Sequence, residues 1–131
     1  MILFRPVGLL ELRLIAAARF RAFPPRLPDQ PIFYPVLTLD YSRKIARDWN
    51  TSDERSGYAG FVTRFEIDEV AAAKYPIQLA GGRSHEELWI PAEELAEFND
   101  HIIGTIAVIE AHVGPRFAGT IDPGTNLPSG L

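Results

Sequence analysis

Apolar positions at the start of the chain predict a strand followed by an amphipathic helix. The segment Ile2–Val7 is short and apolar, and Arg5 interrupts it. Pro6 cannot donate a hydrogen bond to a sheet, so we expect this strand to end there or to lie at an edge. Apolar residues spaced three and four apart predict a helix over about residues 9–19, namely Leu9, Leu12, Ala16 and Phe20.

A proline-rich loop and a second helix come next. Four prolines lie within residues 23–31, and this density predicts a stiff, extended loop because neither a helix nor a central strand tolerates it. Residues 32–37 are apolar and aromatic and predict a short extended segment. Asp40 is a suitable N-cap for the helix that follows. The predicted apolar face of this helix carries Tyr41, Ile45 and Trp49, which are spaced four apart, with Ala46 beside them.

The middle of the chain contains the clearest strand pattern. Residues 60–67 alternate strictly, with apolar or β-branched side chains at every second position. Asp68 is expected to cap a short helix over residues 69–74. Two further strands are predicted, over residues 76–79 and 85–90, with a glycine turn between them.

The last third predicts one more helix and a closing strand. Pro91 suits the first turn of a helix, and the β-branched residues within 101–113 favour a strand in which Gly104 marks a bulge. From residue 114 the chain becomes rich in proline and glycine. We therefore expect one α+β domain over residues 1–113 and a tail over 114–131 that is mobile or docks on a partner.

Composition narrows the classes of function. The chain has 131 residues, a formal net charge of −4 and no cysteine, which excludes a disulfide framework, a thiolate zinc site and a cysteine nucleophile. The three histidines have no metal-ligand spacing, so no metal site is expected. No apolar stretch is long enough to span a bilayer, and we expect a cytoplasmic protein without membrane contact.

Three short motifs follow one another along the chain, and their order indicates a function. Arg5 lies in the first strand, Tyr34 follows the proline-rich loop before a helix with Ala46 and Trp49, and Glu86–Glu87 opens the late strand Leu88–Trp89–Ile90. This order resembles the ADP-ribosyltransferase fold, a split mixed or antiparallel sheet with short helices that binds NAD. The resemblance covers most of residues 2–110 in order and character.

The resemblance implies a role for each motif, with NAD as the substrate. It implies that Glu87, or alternatively Glu86, stabilises the positive charge that develops on the ribose as nicotinamide leaves. It implies that NAD is held by residues of the first strand, the loop and the helix, namely Arg5, Tyr34, Arg26 and Trp49. Each residue also has a structural reading: a solvated glutamate, an ion-paired arginine, a core or loop-anchoring aromatic.

The chain is also similar to short bacterial proteins that carry the label ADP-ribosylation/crystallin. The shared stretches are residues 23–28, 46–50 and 89–95. Two function classes remain open. The first is a transferase or NAD-cleaving enzyme with a protein or nucleic-acid acceptor, and the second is a non-catalytic nucleotide- or protein-binding module on the same scaffold. A homodimer is compatible with either.

Overall fold

A computed structural model describes residues 1–82 and 85–131 and shows mixed α+β structure with antiparallel sheets and short helices. The strands are β1 (Ile2–Val7), β2 (Ile32–Phe33), β3 (Ala59–Ile67), β4 (Ile77–Leu79), β5 (Glu86–Leu88), β6 (Ile90–Pro91) and β7 (Ile102–Val113). The α-helices are α1 (Leu9–Ala17), α2 (Leu39–Asp48), α3 (Glu69–Ala72) and α4 (Leu95–Asp100). Short 3₁₀ turns occupy Asn50–Ser52, Glu54–Ser56 and Ala92–Glu94.

The largest sheet has β3 at its centre, with β1 and β7 antiparallel on either side. Arg5 in β1 lies opposite Thr63 in β3, and the Thr63 hydroxyl donates a hydrogen bond of 2.7 Å to the Arg5 carbonyl. Leu3, Arg5 and Val7 are buried on one face of β1, whereas its alternate residues point to the other face.

Val36 links β1 to a second set of strands. Val36 pairs with Phe4 of β1 on one side and with Glu87 of β5 on the other, both in antiparallel bridges. The pairing of Phe33 with Ile90 continues the same register. Pro35 has no N–H to donate, which accounts for the break between β2 and Val36. Residues 32–37 therefore run as one interrupted strand between β1 and the β5–β6 segment.

The main core lies between the large sheet and α1. Its centre is a group of buried phenylalanines whose rings contact one another at centroid distances of 4.9 to 6.2 Å, namely Phe23, Phe33, Phe65 and Phe98. Leu12 and Ile15 of α1 pack into this core. The aromatic contacts join the proline-rich loop, β2, β3 and α4, which explains how short elements hold together.

Helix α2 covers the opposite face of the sheet. Gly60 of β3 permits this approach, because a Cβ at that position would lie 2.4 Å from the carbonyl oxygen of Ala46. The buried side of α2 consists of Ser42 and Ala46. The predicted apolar face is confirmed at Ala46 but wrong at its ends, because Tyr41 is only partly buried and Trp49 is 60% exposed. Small residues face the sheet because the two backbones run so close together.

Several boundaries follow the sequence closely. The alternating strand is present as β3, Asp68 caps α3 by accepting a hydrogen bond from the Val70 amide, and Gly104 has φ of 74° within an irregular part of the β3–β7 pairing. The cap of α2 differs from the prediction. Thr38, not Asp40, is the N-cap and accepts a hydrogen bond from the Tyr41 amide.

The segment after residue 113 packs on the domain that precedes it. Phe117 and Ile121 contact the core, and Ile121 pairs with Pro128 in an isolated bridge. The Gly114 amide donates to the Tyr58 carbonyl at 2.9 Å. The sequence predicts a segment that is mobile or that docks on a partner; in the structure a few of its apolar side chains pack on this chain itself. Among the described residues, no helix is long and apolar enough to cross a membrane.

Candidate functional site

The three strands that carry the predicted motifs are neighbours. The amide and carbonyl of Phe4 exchange hydrogen bonds with those of Val36 at 2.9 and 2.7 Å. On the other side, the Leu37 amide donates to the Glu86 carbonyl at 3.0 Å. The backbone thus places the strands of Arg5, Tyr34 and Glu87 side by side, as residues 2–7, 32–37 and 86–88.

Arg5 is buried and bound to a carboxylate of the first helix. Its Nε and Nη2 donate to the two carboxylate oxygens of Glu11 at 2.7 and 2.9 Å. Burial disfavours the guanidinium charge, but the pairing with Glu11 outweighs this, and the pKa of Arg5 is raised. The guanidinium carbon also lies 4.7 Å from the centroid of the Phe33 ring. The guanidinium of Arg5 is therefore bound by side chains of the fold itself.

Glu87 is the most buried carboxylate among the described residues, with 6% of its surface exposed. Each of its oxygens accepts a hydrogen bond: Oε2 from the Tyr41 hydroxyl at 2.9 Å, and Oε1 from the Trp89 indole Nε1 at 2.7 Å. Burial and the bond to Glu87 raise the pKa of Tyr41 to about 12. The carboxylate therefore fixes the orientation of two aromatic rings.

Arg5 and Glu87 lie on opposite faces of the sheet. Directly paired residues of neighbouring strands point to the same face, so Phe4, Val36 and Glu87 share one face. Arg5 follows Phe4 and so points to the other face. The partners agree with this assignment, because Glu11 belongs to α1 and Tyr41 belongs to α2, the helices that cover the two faces.

Two exposed aromatic side chains flank Glu87. The register that joins Phe33 to Ile90 and Val36 to Glu87 places Tyr34 opposite Trp89. Tyr34 is 41% exposed and Trp89 is 43% exposed, in contrast to the buried Phe33 beside them. Together they form an aromatic surface on adjacent strands.

Tyr34 lies between the two sets of contacts. The Arg5 guanidinium carbon is 5.6 Å from the centroid of the Tyr34 ring. On the other side, Tyr34 adds to the effects that raise the pKa of Tyr41, after the larger effects of burial and Glu87. Tyr34 therefore lies close both to Arg5, on the α1 face, and to Tyr41, on the α2 face.

His85 extends the aromatic surface at its other end. Its ring stacks on that of Tyr41, with centroids 4.4 Å apart and planes inclined by 12°. His85, Glu87 and Trp89 alternate along one segment, so all three point toward the α2 face. We name the set Tyr34, Tyr41, His85, Glu87 and Trp89 the aromatic–carboxylate row.

The remaining predicted residues do not join this row. Arg26 donates from Nε to the Ile32 carbonyl at 3.1 Å, and burial, followed by repulsion from Arg5, lowers its pKa. Glu86 alternates with Glu87 and points to the opposite face. Trp49 follows the C-terminal end of α2, about 12 Å along the helix axis from Tyr41, and is the most exposed of the candidates.

Sequence reasoning missed two residues that control the site. Glu11 was not singled out, although its position in the first turn of α1 allows it to reach back to a charged residue of β1. Tyr41 was assigned to an apolar helix face, but its hydroxyl binds Glu87. No local signal predicts the second contact, because 46 positions separate the two residues.

Neither a metal centre nor a relative helps to define the site. Within residues 1–82 and 85–131, no group of three or more histidine and acidic side chains is arranged to hold a metal ion. Comparison with family models, with curated proteins and with solved structures finds no match for the chain. Function must therefore be argued from the aromatic–carboxylate row itself.

Proposed function

We propose that the protein is a non-catalytic binding module with an ADP-ribosyltransferase-like arrangement of strands, which binds NAD or a related nucleotide on its aromatic–carboxylate row. The observation that carries this proposal is the pair of half-exposed rings, Tyr34 and Trp89, beside a buried carboxylate. Stacking of a nucleobase or nicotinamide ring on an exposed aromatic side chain is worth about 1–3 kcal/mol. A planar heterocycle fits such a surface.

Glu87 gives this surface its rigidity. Because its two oxygens hold the Tyr41 hydroxyl and the Trp89 indole, neither ring needs to be ordered when a ligand arrives. Preorganised rings lose less conformational entropy on binding. The remaining lone pairs of the carboxylate can accept a hydrogen bond from an amide or hydroxyl of the ligand.

The same contacts argue against catalysis of NAD cleavage. A transferase needs a carboxylate and a cation that act together on one ribose, yet Arg5 is bound to Glu11 on the face opposite Glu87. Moving Arg5 to the other face would break its partly buried ion pair with Glu11, which is costly. The arrangement suits recognition of a ligand better than bond cleavage.

The two tryptophans provide a direct test of binding. Trp89 belongs to the aromatic–carboxylate row, and Trp49 is remote from it and exposed, so the variant Trp49→Phe leaves Trp89 as the single indole. We expect NAD to quench the fluorescence of this variant in a saturable manner. The matched variant Trp89→Phe, which retains Trp49, should show no saturable quenching. Equal responses from both variants, or from neither, would reject the proposed site.

The second candidate is an NAD-cleaving enzyme or ADP-ribosyltransferase. One observation favours it: the strands of the three motif residues are adjacent, in the order Arg5, Tyr34, Glu87. This candidate requires Arg5 to exchange Glu11 for a group of NAD. Release of nicotinamide from NAD, lost in Glu87→Gln, would support the enzyme and contradict the binding module.

A further inference from the structure

Glu87 is a buried carboxylate without a counter-charge. Among the described residues, two charged side chains are buried, Arg5 and Glu87, each with 6% of its surface exposed. Arg5 is neutralised by Glu11. Within residues 1–82 and 85–131, Glu87 forms no ion pair, and its two hydrogen-bond donors, Tyr41 and Trp89, are neutral. A buried charge is normally paired with an opposite one, so Glu87 can pair with a cation that comes from outside the fold.

The charge of Glu87 lies at the edges of two aromatic rings. Its Oε1 is 2.7 Å from the Trp89 indole nitrogen, and its Oε2 is 2.9 Å from the Tyr41 hydroxyl. Donation to a carboxylate polarises both rings and adds to the negative potential of their faces. A ligand ring that stacks on Trp89 therefore meets negative potential from the indole and from the carboxylate together.

Trp89 is the ring of the aromatic–carboxylate row that is best suited to bind a cation. Tyr34 already has the Arg5 guanidinium carbon 5.6 Å from its ring centroid, and Tyr41 is stacked with His85. In the part of the chain that the structure describes, no arginine or lysine lies over the Trp89 ring. Trp89 is 43% exposed, and indole is the aromatic group that attracts cations most strongly.

We propose that the aromatic–carboxylate row selects a cationic ring, so that it binds an oxidised nicotinamide nucleotide or another N-alkylated pyridinium in preference to the neutral, reduced counterpart. This inference rests on the proposed nucleotide-binding function and adds a charge specificity to it. The oxidised nicotinamide ring is a cation, whereas the dihydro ring of NADH is neutral. Only the oxidised ring supplies a counter-charge for Glu87 while it stacks on Trp89. The adenine and the diphosphate are common to both forms and cannot produce the preference.

NMR titration of the Trp89 indole N–H signal measures this preference. Trp49→Phe assigns the two indole signals, and the signal of the remote Trp49 should move little in the wild type. We expect oxidised NAD to bind about tenfold more tightly than NADH, because a cation–π contact and charge pairing both favour it. Nicotinamide that is methylated on its ring nitrogen, compared with nicotinamide itself, isolates the ring charge and should show the same order. Equal dissociation constants within both pairs would overturn the inference, although binding of both members would leave the proposed function intact.

Two variants of neighbouring residues in β5 separate the charge of Glu87 from the stacking surface. Glu87→Gln removes the charge and keeps the size of the side chain, so the preference for oxidised NAD over NADH should disappear even where both bind less tightly. Glu86→Gln makes the same change of net charge on the opposite face and should keep the wild-type preference. A preference that survives Glu87→Gln would overturn the inference. If Glu87→Gln does not fold, the two wild-type comparisons decide. A Trp89 signal that no ligand moves would reject the proposed function and this inference with it.

Discussion

Arg5 and Glu87 point to opposite faces of the sheet, although their strands are separated only by the strand that contains Val36. Each is held by an internal partner, Glu11 for the arginine and Tyr41 for the glutamate. An NAD-cleaving site would need Arg5 and Glu87 close together, but Arg5 lies on the α1 side of the sheet and Glu87 lies on the α2 side. This division favours the proposed binding role of the aromatic–carboxylate row over catalysis.

The substitution Glu11→Gln should destabilise the protein by about 2–4 kcal/mol, because it leaves the buried guanidinium of Arg5 without a counter-charge. The measurement is urea unfolding at neutral pH. Arg13→Gln is the matched control, since it also replaces a charged residue of α1 but one that is exposed. The control should change the free energy of unfolding by less than about 0.5 kcal/mol. Equal effects of both variants would show that the Arg5–Glu11 pair does not support the fold.

The hydroxyl of Tyr41 should titrate abnormally. Burial and the carboxylate of Glu87 raise the pKa of Tyr41 to about 12, above the ordinary tyrosine value of 10.0. Replacing Glu87 by Gln removes the negative charge and should lower the pKa of Tyr41 toward that value. NMR titration of the tyrosine Cζ resonances measures the change.

Tyr75 provides the control for that titration. Burial and a hydrogen bond to Glu94 raise the pKa of Tyr75 to about 12 as well. Glu94→Gln should therefore lower the pKa of Tyr75 and leave that of Tyr41 unchanged, and Glu87→Gln should do the reverse. If Glu87→Gln leaves the Tyr41 titration unaltered, the hydrogen bond on which the row depends does not form in solution.

The ion pair of Arg43 and Glu110 should make stability depend on pH at the acid end. Hydrogen bonds from Arg43 lower the pKa of Glu110 from 4.5 to about 2. A depressed folded-state pKa stabilises the protein above the unfolded pKa, and this stabilisation is lost as the pH falls through the folded value. Glu110→Gln should thus lower the melting temperature by a few degrees near neutral pH, and the difference should vanish between about pH 4.5 and pH 2. A difference that is constant with pH would contradict this explanation.

Gly60 is predicted to tolerate no side chain. A Cβ there would lie 2.4 Å from the Ala46 carbonyl oxygen and 2.7 Å from its Cα, and both atoms belong to the helix backbone. Gly60→Ala should destabilise the protein by about 2–3 kcal/mol, because α2 must move away from β3. Gly82→Ala, whose Cβ would lie an ordinary 3.6 Å from the His85 ring, should be nearly neutral. Thermal unfolding followed by circular dichroism compares the two.

Most elements could be predicted from the sequence, because their signals are local. The alternation of residues 60–67, the cap at Asp68 and the glycine of the β7 bulge depend on a few neighbouring positions. Of the buried face of α2, Ala46 could be predicted but Ser42 could not, because the close packing there depends on Gly60, a residue of another element. Propensity and periodicity contain no information about such a close backbone approach.

The sequence predicts which strands carry the candidate site, but it does not predict which face of the sheet each side chain occupies. The order of motifs led to Arg5, Tyr34 and Glu87, and their strands are indeed adjacent. Which face each side chain occupies depends on the register between strands, and a shift of one residue reverses it. The register at Val36 is set by its long-range pairing with Phe4 and Glu87, which the order of motifs does not encode.

NMR of NAD in the presence of the protein tests the central claim most directly, because one sample reports both binding and cleavage. We predict saturation transfer from the wild type to the nicotinamide and adenine protons of NAD, and a marked loss of transfer in Trp89→Ala. The nicotinamide should remain attached to the ribose throughout. Absence of transfer from the wild type, or free nicotinamide that accumulates with the wild type and not with Glu87→Gln, would contradict the account.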